Sequence, residues 1–82
     1  MFHKALLLES GEVEPLLVKL MHGQSEDIRI LATQGIANLA LDFSIQILEV
    51  DGALEQLIKQ TDSANDILKC YSVFAIKNLL HM

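Results

Sequence analysis

Apolar residues recur along this chain at helical spacing, in blocks that end in turn signals. Phe2, Ala5, Leu6 and Leu8 mark a short helix over 2–9. Ser10-Gly11 closes it, because glycine tolerates the left-handed conformation at a helix end. Val13, Leu16, Leu17 and Leu20 give the apolar stripe of a second helix, from about Glu12 to Met21. Pro15 falls in its first turn, where no intrahelical N–H is lost, and Glu12 and Glu14 favour the positive end of the helix dipole. Gly23-Gln24 is a turn. Ser25 then predicts an N-cap, with Glu26 and Asp27 in the first turn of a longer helix. Ile28, Leu31, Ala32, Gly35, Ile36 and Leu39 read as the buried stripe of that helix, and Ile30, Gln34, Ala37, Asn38 and Leu41 as its more open line. Gly35 costs about 1 kcal/mol relative to alanine in mid-helix. The close approach of a neighbouring helix is the expected reason for it.

The pattern then starts again. Asp42 predicts the cap of a short helix over Phe43 to Val50, and Asp51-Gly52 closes it as Ser10-Gly11 did. Ala53 to about Gln60 forms a helix carrying Leu54, Leu57 and Ile58, followed by a polar turn, Thr61-Asp62-Ser63-Ala64. Asn65 stands where Ser25 stood. The last helix is expected to bury Leu68, Tyr71, Ser72, Ala75, Ile76 and Leu79, with Cys70, Phe74, Lys77, Asn78 and His81 along its open line. There is no strand pattern. The copies also match residue by residue. Gly11-Glu12-Val13-Glu14-Pro15-Leu16-Leu17 returns as Gly52-Ala53-Leu54-Glu55-Gln56-Leu57-Ile58, and Gly35-Ile36-Ala37-Asn38-Leu39 returns as Ala75-Ile76-Lys77-Asn78-Leu79. The offset changes by one residue in the stretch from Met21 to Asp27, as an insertion in a turn would produce. The chain is thus a single domain of two copies, repeat 1 over about 1–41 and repeat 2 over about 42–82. A period of roughly 40 residues signals a helical solenoid, and such units are scaffolds for contact.

Composition supports an all-α reading. Of the 82 residues 51% are hydrophobic, dominated by Leu, Ile, Ala and Val, with no Trp and one Pro. So small a domain buries about 60–65% of its unfolded surface, and the surplus of apolar residues points to stacking faces. The net charge of −5 argues against nucleic acid, which needs clustered Lys and Arg. Cys70 is the only cysteine, so no internal disulfide forms, which favours a reducing compartment. The apolar run Ala5-Leu6-Leu7-Leu8 is too short for a signal peptide or a spanning helix. The expectation is a soluble, cytoplasmic protein, with the nucleus also open to it and no membrane insertion. His3, His22 and His81 lack metal-ligand spacing, Cys70 has no activating base in sequence, and no phosphate loop or paired-carboxylate motif is present. No catalysis, metal or cofactor is expected.

A unit made of a short helix, a glycine, a medium helix with the pattern G-x-V/L-E-x-L-L/I, a turn and a long helix ending in Asn-Leu resembles the armadillo repeat. In repeat 1 the residues that carry the resemblance are Gly11, Val13, Pro15, Leu16, Leu17, Leu20, Ala32, Ile36, Asn38 and Leu39. In repeat 2 they are Gly52, Leu54, Leu57, Ile58, Ala75, Ile76, Asn78 and Leu79. The resemblance covers essentially the whole chain and implies an α-solenoid of about two stacked three-helix repeats. It also implies a concave groove, lined by the third helices, that binds an extended peptide. In that family the Asn at the positions of Asn38 and Asn78 often bonds the backbone of the bound peptide, work that suits an amide, which donates and accepts at once. Nuclear-import receptors of the family place Trp one turn before that Asn. Here Gln34 and Phe74 stand there, which argues against that role.

The expected function is therefore a non-catalytic interaction module that binds a protein or peptide, with Gln34, Asn38, Phe74, Lys77 and Asn78 as partner-binding candidates. Asn38 and Asn78 have a competing role as bridges to neighbouring backbone, and Phe74 as a residue packed against a neighbour. The alternative function is a self-assembling unit, a possible homodimer, paired through apolar ends at Phe2, Leu6, Val73, Ile76 and Leu80.

Overall fold

A computed structural model of the chain describes residues 13–80. The expected helix over 2–9, with Phe2, Leu6 and Gly11, and His81 near the other end lie outside the described residues. Within them the fold is all-helical, with four helices: α1 (Val13–Met21), α2 (Glu26–Leu48), α3 (Ala53–Gln60) and α4 (Asp66–Leu79). The chain dictates where these begin. The Ser25 side chain accepts from the backbone N–H of Ile28, and the Asn65 side chain from that of Leu68, so the two long helices carry the same N-cap at matching positions. Gly52 precedes α3 with φ of +84°, the left-handed conformation that a glycine supplies without strain. The break expected near Asp42 falls on Phe43, whose non-helical φ of −130° and ψ of 37° divide α2 into two arms. The arm beyond the bend, residues 44–48, occupies the place of the expected short helix, and Ile47 on it is fully buried.

Helix α2 is the centre of the molecule. It packs against α1 on one side and, most extensively, against α4 on another, while α3 packs on α4. The core joins Val18 and Met21 of α1, Ala32, Ile36, Ala37, Leu39, Ala40 and Ile47 of α2, Ala53 and Leu57 of α3, and Ala75 and Leu79 of α4. At Gly35 the expected close approach is present: a methyl group there would lie 3.4 Å from Leu17 Cδ1. Helix α2 is long and apolar enough by composition to cross a membrane. Here it is bent at Phe43, and its Ala32, Ile36, Ala37 and Ala40 are covered by the other helices.

Two expected stripes are rotated in the structure. On α1 the buried residues are Glu14, Val18 and Met21, with Leu17 half-buried, whereas Leu16 is 56% exposed and Leu20 also reaches solvent. On α2 the buried residues are Ala32, Thr33, Ile36, Ala37, Leu39 and Ala40, whereas Ile28 is exposed and Leu31 is 65% exposed. Ala37, assigned to the open line, is inside. The physical reason lies in the duplication. A repeat unit is apolar on the two sides that meet its neighbours, and repeat 1 meets a described neighbour on one side only. Glu14 is buried with its new face, and its Oε2 has no hydrogen-bond partner among the described residues. The stripe expected for α4 matches closely: Leu68, Ser72, Ala75 and Leu79 are buried, and Tyr71 and Ile76 half-buried.

Candidate functional site

Helices α2 and α4 lie side by side and parallel, tied at three levels. Near their starts, Asn65 Nδ2 donates to Glu26 Oε1 at 2.9 Å. Midway, Gln60 of α3 donates through Nε2 to Thr33 Oγ1 at 2.9 Å and to Ser72 Oγ at 3.0 Å. Near their ends, Asn78 Nδ2 donates to the carbonyl of Ala37 at 2.9 Å. The middle tie belongs to a longer network. Gln56 Nε2 donates to the Met21 carbonyl and to Gln60 Oε1, while the Thr33 and Ser72 hydroxyls donate to the carbonyls of Arg29 and Leu68. A satisfied polar network inside a small core fixes one register of the two helices.

This arrangement decides where the candidate residues stand. Asn78 is only 7% exposed and its amide is committed to Ala37, so of the two roles open to it in sequence it takes the backbone bridge. Asn38, its counterpart, is exposed. Gln34 is half-buried, Phe74 is 45% exposed and Lys77 is exposed. Helical spacing puts Gln34, Asn38 and Leu41 on one side of α2, and Cys70, Phe74 and Lys77 on the matching side of α4. The parallel alignment joins these into one surface, with exposed Leu41 and Cys70 at its margins. Phe74 therefore faces outward on the described structure of the single chain. Of the self-association candidates, Val73 and Leu80 are exposed, whereas Ile76 packs on the core and belongs to the inside of the fold.

A second concave feature was not legible as a site in the sequence. A cleft of about 360 Å³ opens where the two units meet, lined by His22, Arg29, Gln56, Lys59, Gln60 and Ser63 among others. His22 Nδ1 donates to the Val18 carbonyl at 2.8 Å, and Arg29 donates to the Gly23 carbonyl at 2.6 Å while its other terminal nitrogen lies 3.9 Å from Glu26. These bonds fasten the turn after α1 within the first unit, and Gln56 of the second unit reaches it through the Met21 carbonyl. Arg29 and Lys59 are far apart in sequence and fall outside both apolar stripes, so only the duplication, by placing the two turns side by side, could have suggested that they meet. Among the described residues no group of three or more His, Cys, Asp or Glu side chains is placed to hold a metal ion. No protein-family model, no curated protein and no solved structure matches the chain.

Proposed function

We propose that the chain is a non-catalytic interaction module, a short armadillo-like α-solenoid that binds a protein or peptide across its paired long helices. The observation that carries this is the surface formed by Gln34 and Leu41 of α2 and Cys70, Phe74 and Lys77 of α4, presented by two helices tied in fixed register by three hydrogen-bonded bridges. Such a platform loses little freedom when a partner settles on it, which favours binding. It combines an exposed aromatic, exposed aliphatic side chains and polar groups, the mixture that interfaces use, with the aromatic as the natural anchor. Asn78 supports the platform from beneath, and Asn38 stands at its edge.

Peptide selection tests this reading. Peptides selected from a random displayed library on the wild-type chain are expected to bind a Phe74→Asp variant about tenfold or more weakly, as loss of an aromatic anchor implies. Ile58→Asp, at an exposed position on α3, is expected to leave that binding within about twofold, as a substitution outside the contact should. A selection that yields no binder, or binders indifferent to Phe74→Asp, contradicts the proposal. Circular dichroism of both variants establishes that they remain folded.

A further inference from the structure

The two ends of this stack are chemically different, and the difference follows from the junction that the chain already contains. At that junction repeat 2 contributes Leu57, Leu68, Tyr71 and Asn78. The first two are almost fully buried, Tyr71 is half-buried, and Asn78 bonds the Ala37 carbonyl. Their counterparts in repeat 1 are Leu16, Ile28, Leu31 and Asn38, and all four are exposed. On α2, helical spacing sets Ile28, Leu31 and Asn38 away from the side of Thr33 and Ala37 that bonds repeat 2, and Leu16 is exposed on α1.

At the opposite end the correspondence runs the other way. Repeat 1 contributes Val18, Met21, Thr33, Ala37 and Ala40 to the junction, each at most 3% exposed. Their counterparts in repeat 2 are Lys59, Asp62, Val73, Lys77 and Leu80, all exposed. A unit stacked on that end in the same manner would enclose Lys59, Asp62 and Lys77, and burying unpaired charge is strongly unfavourable. This face has the polar character of a terminal repeat, with Val73 and Leu80 set among charges.

We propose that the side of repeat 1 formed by Leu16, Ile28, Leu31 and Asn38 is a docking surface for one further helical unit of the same kind. The contacting face of that unit is uncharged, like Val18, Met21, Thr33, Ala37 and Ala40 here, and it offers a helix carbonyl to the Asn38 amide. The occupant is fixed by continuity with the existing junction, in which the same residue types already meet such a face. A second copy of this chain stacked head to tail does not qualify, because its available end carries Lys59, Asp62 and Lys77. The inference rests on the duplicated junction and not on the partner surface around Phe74.

Two extended proteins test it, the first containing the full chain and the second all of it except Met82. In the first, a copy of residues 1–41 precedes Met1, so that the join from Leu41 to Met1 copies the native step from Leu41 to Asp42. In the second, a copy of residues 42–82 follows His81, the counterpart of Leu41. The first extension is expected to raise the melting temperature of the chain, and the second is not. Within the first extension, Asn38→Ala at the original position is expected to raise the unfolding constant about two- to tenfold, as loss of one interior hydrogen bond does. The same substitution in the unextended chain is expected to change it by less than about twofold, as at an ordinary surface position. A first extension that fails to fold, gains no stability or is indifferent to Asn38→Ala overturns the proposal. So does a wild-type chain that dimerises in solution and becomes monomeric on Leu31→Asp, because the surface would then serve a second copy.

Discussion

Leu57→Ala is expected to lower stability by about 2–5 kcal/mol, the range for truncating a fully enclosed leucine. Leu57 is 0% exposed and belongs to the central cluster that joins α3 to the rest of the core. The loss has two parts, the transfer free energy of the removed methyls and the contacts forfeited around the cavity. Domains of this size hold only about 5–15 kcal/mol in total, so the variant is expected to unfold at a much lower urea concentration. The informative comparison is with Leu16→Ala. The sequence gives the two leucines the same place in the repeat, yet Leu16 is 56% exposed. Its truncation is expected to cost less than about 1 kcal/mol, as at a surface position. Urea titration followed by circular dichroism measures both, and similar losses would contradict the burial pattern described above.

Gln60→Glu is expected to cost about 3 kcal/mol or more near neutral pH, where the new side chain is ionised. The amide of Gln60 donates to Thr33 and Ser72, and both hydroxyls already give their protons to the carbonyls of Arg29 and Leu68. They can only accept from residue 60. A carboxylate there has no proton to give and places negative charge against two oxygens in a buried site. Gln60→Leu removes the donor instead. Gln56 Nε2 keeps the Met21 carbonyl, and the N–H that it gave to Gln60 Oε1 belongs to a half-buried side chain lining the cleft, where water can replace the lost acceptor, so the expected cost is below about 1.5 kcal/mol. Thermal melts of the two variants separate these outcomes, and equal losses would mean that the network does not govern residue 60.

The fold was legible where local chemistry decides it. Ser25 and Asn65 cap the long helices as their side chains require, Gly52 takes the left-handed conformation, and Gly35 lies under Leu17. The stripes of α1 and α2 were misread because hydrophobic periodicity reports which sides of a helix can be covered and not which are. Leu16, Ile28 and Leu31 are as apolar as Leu57, Leu68 and Tyr71 or nearly so, and only the stacking order separates the two sets. The break expected after Asp42 is present at Phe43, whose non-helical backbone separates the helix that starts at Glu26 from the short arm that ends at Leu48. For the candidate surface, Gln34, Phe74 and Lys77 were legible from the open line of each long helix. The bridging role of Asn78 was one of two in sequence, since an amide that suits a peptide backbone suits a neighbouring helix carbonyl equally well. The Gln60 network and the cleft beside it were invisible because they join turns and helices from different repeats.

Identical residues in the two copies do different work according to what they meet. Asn38 and Asn78 test this most directly, through the unfolding free energies of Asn38→Ala and Asn78→Ala in the 82-residue chain. Asn78→Ala is expected to lose about 0.5–1.5 kcal/mol, the worth of its bond to the Ala37 carbonyl, while Asn38→Ala stays within about 0.5 kcal/mol of wild type. Equal losses at the two positions, or no loss at Asn78, would contradict it.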